Sequence, residues 1–187
     1  DANWSDGKPV TANDFVFAYR RMEDPKEAAE YANILYPIKN AEAINGGKAA
    51  VDTLGVKAID DKTLEITLER PTPYFIELLA HYAALPVPSW AIEKFGGEWI
   101  KPGNIVCNGA FCLTENVPND HITAVKNPEY WDAANVKIDK IIYNPSEDQA
   151  TTERMFEAGE LDVVYNFQAD QKKFLEGKLG KDQVLAA

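Results

Sequence analysis

Few side chains in this sequence are equipped for covalent chemistry. There are two cysteines, Cys107 and Cys112, and two histidines, His81 and His121. Neither histidine lies at a ligand-like spacing from the cysteines, so a zinc site is not indicated. Five residues apart, the cysteines fall on opposite faces of a regular strand, and a bridge needs a bend between them. Asn108-Gly109 could supply one, but a tight turn there pairs Cys107 with Ala110 and leaves Cys112 out of register. A local bridge and two shielded thiols both stay open. Acid pairs such as Asp60-Asp61 read as a solvated turn rather than an acid–base couple. The glycine pairs Gly46-Gly47 and Gly96-Gly97 lack the Lys-Ser/Thr that cradles phosphate, and no serine sits in a nucleophile elbow. The sequence offers no positive sign of an enzyme.

Loop aromatics suggest binding instead. Tyr31 follows a helical turn, with Tyr36 close behind, and Tyr165-Asn166-Phe167 leaves the end of an expected strand. A tyrosine offers a flat apolar face and a hydroxyl, and an asparagine offers both donors and acceptors. The set suits a ligand with amide groups and varied side chains. The alternative is that the tyrosines are core residues, each with one hydrogen bond.

The elements that would position these groups are legible from periodicity. Thr11 and Asp14 open a helix running to about Met22, with Phe15, Ala18, Tyr19 and Met22 on one face, and Asp24-Pro25 ends it. Short helices are expected over 27–34 and 38–44, the latter stopped by Asn45-Gly46-Gly47. Residues 56–59 and 64–68 alternate apolar and polar around Asp60-Asp61-Lys62, a hairpin with one buried face. Further helices are expected after Pro73 and over 89–95, 147–158 and 168–175. Strands are expected over 109–114, 121–126, 138–143 and 161–165. Without strict βαβ alternation, the class is α/β or α+β with a mixed sheet and flanking helices.

Composition narrows the partners. Nineteen Lys+Arg face 30 Asp+Glu, for a net charge of -11, which argues against a nucleic-acid backbone. Hydrophobic residues make up 45%, enough for a packed core. No apolar run approaches the roughly 20 residues of a membrane span. The start at Asp1 and the stop just as an apolar stretch begins suggest a fragment of a longer protein.

The run Trp4-Ser5-Asp6-Gly7-Lys8-Pro9-Val10-Thr11-Ala12-Asn13-Asp14-Phe15-Val16 resembles the family 5 extracellular solute-binding proteins, the oligopeptide-binding components of bacterial ABC importers. Physically, Asp6-Gly7 turns, Pro9 stiffens, Thr11 caps, and Trp4 and Phe15 are placed to close a small cluster. The likeness continues through Leu54-Gly55-Val56-Lys57-Ala58-Ile59-Asp60-Asp61, Pro73-Tyr74-Phe75, Pro86-Val87-Pro88, Asn108-Gly109-Ala110, Asn127-Pro128-Glu129-Tyr130-Trp131-Asp132 and Ala158-Gly159-Glu160-Leu161-Asp162. It is strongest to the oligopeptide- and murein-peptide-binding branch. Cys107 and Cys112 depart from the pattern. Family members with a disulfide place it later in the chain, so the resemblance assigns this pair no role.

The resemblance implies two lobes closing on a ligand. Residues 1–105 would be a small extra domain and 106–187 part of the first ligand-binding lobe, with the opposing C-terminal lobe absent. It implies a periplasmic or cell-surface-anchored receptor that hands oligopeptides to a membrane permease, with no catalysis, cofactor or metal. Tyr31 matches a ligand-contacting tyrosine, and Tyr165, Asn166 and Phe167 would join it at the cleft. Tyr130 and Trp131 are expected to be structural. Within the family the ligand could instead be a dipeptide, a murein peptide, a nickel complex or haem. Outside it, the rivals are a secreted hydrolase and an interaction module with no small ligand.

Overall fold

The computed structural model describes residues 1–165, 167, 171–180 and 184. The mixed α/β class expected from the sequence is what the chain adopts, with one two-stranded and one three-stranded sheet among the described residues. The chain divides into two compact units. One comprises residues 1–116 and 123–141, the other 117–122 and 142–187.

The first unit is built around helix α1 (Ala12–Glu23). Thr11 and Asp14 form its capping box, and the Asp14 carboxylate takes the Thr11 backbone N–H at 2.8 Å. The same carboxylate accepts from the Trp4 indole at 3.3 Å, tying the N-terminal segment to the helix start. The expected apolar face is the buried one: Ala18 and Tyr19 are buried, and Phe15 and Met22 pack against them. Trp4 clusters with Trp90, edge to face at 5.7 Å, while Phe15 meets Tyr19, so the expected Trp4–Phe15 pairing is replaced by two separate ones.

The segment 27–34 is not a helix. Ala28 takes φ 48° and Glu27 folds back to pair with Arg21, leaving only a 3-10 turn over Ala32–Leu35. Helix α2 (Ala41–Asn45) starts later than its pattern suggests, because Asn40 is left-handed at φ 65° and Ile38 bridges to Leu68. Strands β1 (Val56–Asp60) and β2 (Thr63–Ile66) form the expected antiparallel hairpin, pairing Val56 with Ile66 and Ala58 with Leu64. A register shift lies between Ala58 and Asp60. Gly55 is required where Lys39 and Thr67 close on it. A Cβ there would lie 2.7 Å from the Thr67 carbonyl oxygen. Leu35, Ile38, Ala41, Ile44, Leu54, Val56 and Phe75 complete the core. Helices α3 (Phe75–Leu78) and α4 (Ser89–Phe95) follow, the second with its expected bounds.

Cys107 and Cys112 are bridged, with Cα atoms 5.9 Å apart. The bend is wider than the tight turn that puts Cys112 out of register. It spans 108–111, and strand β3 (Phe111–Val117) begins only at its end. Buried Asn127 secures the bend by donating to the Gly109 carbonyl at 2.9 Å, and Ser5 N–H donates to the Cys107 carbonyl at 2.7 Å. Strands β4 (His121–Lys126) and β5 (Lys140–Tyr143) complete a sheet of order β3-β4-β5.

In the second unit, Asp148 caps helix α5 (Gln149–Glu157), accepting from Ala150 N–H at 3.0 Å, and Gly159 follows at φ 78°. The alternation over 161–165 forms no strand, because that segment gains no ladder partner among the described residues. Helix α6 (Lys172–Leu179) begins later than expected, and residues 168–170 of the anticipated helix lie outside the described set. No helix among the described residues is long and apolar enough to cross a membrane.

Candidate functional site

Tyr31 stands just before the 3-10 turn at Ala32–Leu35 and is 40% exposed. It is neither a core tyrosine nor alone. Its ring lies 5.2 Å from the His81 ring and 5.5 Å, edge to face, from the Tyr82 ring, and the latter two rings are 4.2 Å apart. Tyr31 therefore sits in a three-ring shelf drawn from two distant loops.

The second loop is held by its own geometry. His81 caps the 3-10 turn Tyr82–Ala84, its Nδ1 accepting from the Ala83 N–H at 3.2 Å. A neutral His81 thus carries its proton on Nε2. Ala83 and Ala84 are buried, and the Ala84 carbonyl accepts from the core Tyr19 hydroxyl at 3.0 Å. The loop is anchored in the core while Tyr82, 62% exposed, is displayed. A hydrogen bond with Tyr31, then partial desolvation and the negative charge of Glu30, hold the Tyr82 hydroxyl above its ordinary pKa. Beside the shelf is a hollow of about 270 Å³ walled by Met22, Ala29, Tyr82, Leu85 and Val87, with the Arg21–Glu27 ion pair on its wall.

The other anticipated residues fall in the second unit. Tyr165 is 84% exposed in an irregular segment, Phe167 is half-buried, and Asn166 lies outside the described residues. His81 and Tyr82 were not singled out as binding residues. No local signal marks them, because their partner Tyr31 is remote in sequence and only the folded loop unites the three.

A second hollow, of about 500 Å³, lies among Ser5, Asp6, Lys8, Trp90, Lys94 and Ile105. Two of its charged groups, Asp6 and Lys8, are matched to each other. Lys8 pairs with Asp6 at 3.0 Å and covers the Trp90 ring at 4.2 Å, and Trp90 Nε1 donates to Asp6 at 3.0 Å. Burial alone would raise the Asp6 pKa, but these partners lower it. The arrangement closes the Trp4–Lys8 turn over α4. Among the described residues, no group of three or more His, Cys, Asp or Glu is placed to hold a metal ion.

Residues 1–186 match the bacterial extracellular solute-binding proteins, family 5 Middle. The periplasmic oligopeptide-binding protein OppA of Salmonella typhimurium is 46% identical over 168 residues, covering 89% of this chain and 31% of that protein. The probable deoxycholate-binding periplasmic protein YgiS of Escherichia coli is 47% identical over 164 residues, covering 87% of this chain and 31% of its own. Among solved structures, Haemophilus influenzae OppA in complex with the peptide RPPGFSPFR superposes with a TM-score of 0.91 at 39% identity, over 96% of this chain and 36% of that one. The chain thus spans about a third of the length of the relatives it matches.

Proposed function

We propose that this chain, which belongs to the bacterial extracellular solute-binding proteins of family 5, forms part of the peptide-binding receptor of an ABC importer. The observation that carries the proposal is Tyr31. Tyr31 is half-exposed and braced by two further rings, which supports reading it as a contact surface rather than as core packing.

The hydroxyl of Tyr31 suits a peptide amide, a group every peptide shares. Tyr165, Asn166 and Phe167 are proposed as further contacts. Residues 1–105 are proposed as the small extra domain and 106–187 as part of the first lobe, with the opposing lobe supplied by more protein than this chain contains. Ligand side chains would enter hydrated pockets whose waters rearrange at low cost, so many sequences fit. No bond is made or broken. The closed complex would dock on a membrane permease outside the cytoplasm, as the periplasmic names of its relatives suggest.

Native mass spectrometry tests this on a receptor of the relatives' full length that carries this segment. Intact peptides of mixed sequence should co-purify with it. Cleaved peptides would support a hydrolase, and a sterol acid would move the chain toward the deoxycholate-binding relative. A receptor that binds no small molecule would point to an interaction module.

A further inference from the structure

Two places in the chain read Asn-Gly, Asn45-Gly46 and Asn108-Gly109. This dipeptide has chemistry of its own. The backbone nitrogen of the glycine can attack the carboxamide carbon of the asparagine and close a succinimide ring. Glycine permits it because no side chain crowds the attacking nitrogen or restricts the backbone. The fold treats the two places in opposite ways.

Asn45 is the last residue of α2, and its glycine is occupied. The Gly46 N–H donates to the Glu42 carbonyl at 3.0 Å. The Asn45 side chain is held as well, its Oδ1 accepting from the Tyr36 hydroxyl at 2.9 Å. Asn108 lies in the bend closed by the Cys107–Cys112 bridge, outside any helix or strand. Gly109 is exposed, and among the described residues neither its N–H nor the Asn108 carboxamide has a hydrogen-bond partner. The conformation does not demand glycine there. Its φ is outside the left-handed region, and an added Cβ would meet only the Phe111 carbonyl oxygen, at 3.9 Å.

We infer that Asn108 is a self-modification site, converted to aspartyl and isoaspartyl residues with water as the co-reactant. The Gly109 nitrogen gives up its proton and bonds to Asn108 Cγ. The Cγ–Nδ2 bond breaks, and ammonia leaves with that proton. Water then opens the ring at one of its two C–N bonds. Opening at Cγ leaves aspartate. Opening at the Asn108 main-chain carbonyl leaves isoaspartate, in which the bend is longer by one carbon. Both products add a carboxylate, but only the second displaces the Gly109 carbonyl that buried Asn127 holds at 2.9 Å. The inference stands apart from the peptide-receptor reading.

Peptide mapping by mass spectrometry, on this chain held folded at mildly alkaline pH, tests it. Asn108 should convert about tenfold faster than Asn45, which must first break the hydrogen bonds that hold it and its glycine. In the chain unfolded in denaturant with its bridge reduced, the two rates should converge. Gly109→Ala should slow Asn108 to the Asn45 rate or below, with the melting midpoint unchanged. The isoaspartyl fraction, isolated by chromatography, should melt below Asn108→Asp, which carries the charge without the extra carbon. Equal rates in the folded chain, a faster Asn45, a ratio that persists on unfolding, or an Asn108 rate untouched by Gly109→Ala overturns the inference. An isoaspartyl form that melts together with Asn108→Asp overturns the link to Asn127.

Discussion

In the first compact unit, Leu35, Ile38, Ala41 and Ile44 are completely buried around α1 and the β1–β2 hairpin. In the second, Val163, Tyr165 and Phe174 stand in solvent, and the buried apolar side chains among its described residues are Leu175 and Val184. Both draw on the same residue types, but among the described residues the second encloses far fewer of them. The second presents apolar surface of the kind that marks association with further protein. The first unit also has exposed rings, among them Tyr31, Tyr74, Tyr82 and Trp131, and of these Tyr31 and Tyr82 are braced by a core-anchored loop. Braced exposure is what supports Tyr31 and Tyr82 as a proposed contact surface; the exposed apolar side chains of the second unit lack that bracing.

The sharpest way to break this contrast is by truncation on each side. Trp4→Ala removes a buried indole that packs on Trp90 and bonds Asp14, and should cost about 3–5 kcal/mol in denaturant unfolding. Phe174→Ala should change stability by less than about 0.5 kcal/mol. Similar losses at the two positions would show that the second unit has a core of its own.

Glu23 gives the next largest effect. It ends α1 fully buried, with neither carboxylate oxygen hydrogen-bonded, and desolvation raises its pKa from 4.5 to about 8. A raised folded pKa means the folded state holds the proton longer. That contribution is complete below pH 4.5 and is lost as pH rises through about 8. Stability should fall by up to about 1.4 kcal/mol per pH unit across that window. Glu23→Gln should match the wild type near pH 5 and exceed it at pH 8. Parallel pH profiles for the two proteins would contradict this burial.

The disulfide comes third. Replacing both Cys107 and Cys112 by serine opens a short loop and should cost about 2 kcal/mol by chain entropy. Because Ser5 bonds to Cys107, the loss should appear in the cooperative unfolding of the first unit. A local change in the 108–111 bend with the global midpoint intact would uncouple the bridge from that core.

Smallest is the most recognisable motif. Tyr130 and Trp131 meet at 5.7 Å, but Trp131 is 68% exposed, so the structural weight expected of it falls on buried Asn127 instead. Trp131→Ala should cost less than about 1 kcal/mol. A loss as large as that of Trp4→Ala would place Trp131 in a core.

Legibility followed the range of the interaction. The α1 face, the hairpin and α4 were readable because each rests on local periodicity or turn residues. The helix at 27–34 misread because Ala28 turns left-handed and Glu27 answers to Arg21, neither of which a helical pattern reveals. The strand at 161–165 misread because alternation supplies a face but no partner. At the candidate site, Tyr31 was visible through resemblance, while His81 and Tyr82 joined it only through folding. The bridge is not legible from local sequence because Asn127 and Ser5, which hold its bend, are remote in the chain.

The central claim is that this chain carries one side of a peptide cleft, and calorimetry tests it most directly. One side leaves much of a peptide's amide surface in water, and a millimolar dissociation constant is only about 4 kcal/mol. An oligopeptide mixture titrated into this chain alone should give no saturable heat at sub-millimolar concentration. A receptor of the relatives' full length carrying the same segment should bind. Saturable peptide binding by this chain alone at sub-millimolar concentration, or none by the full-length receptor, would contradict the account.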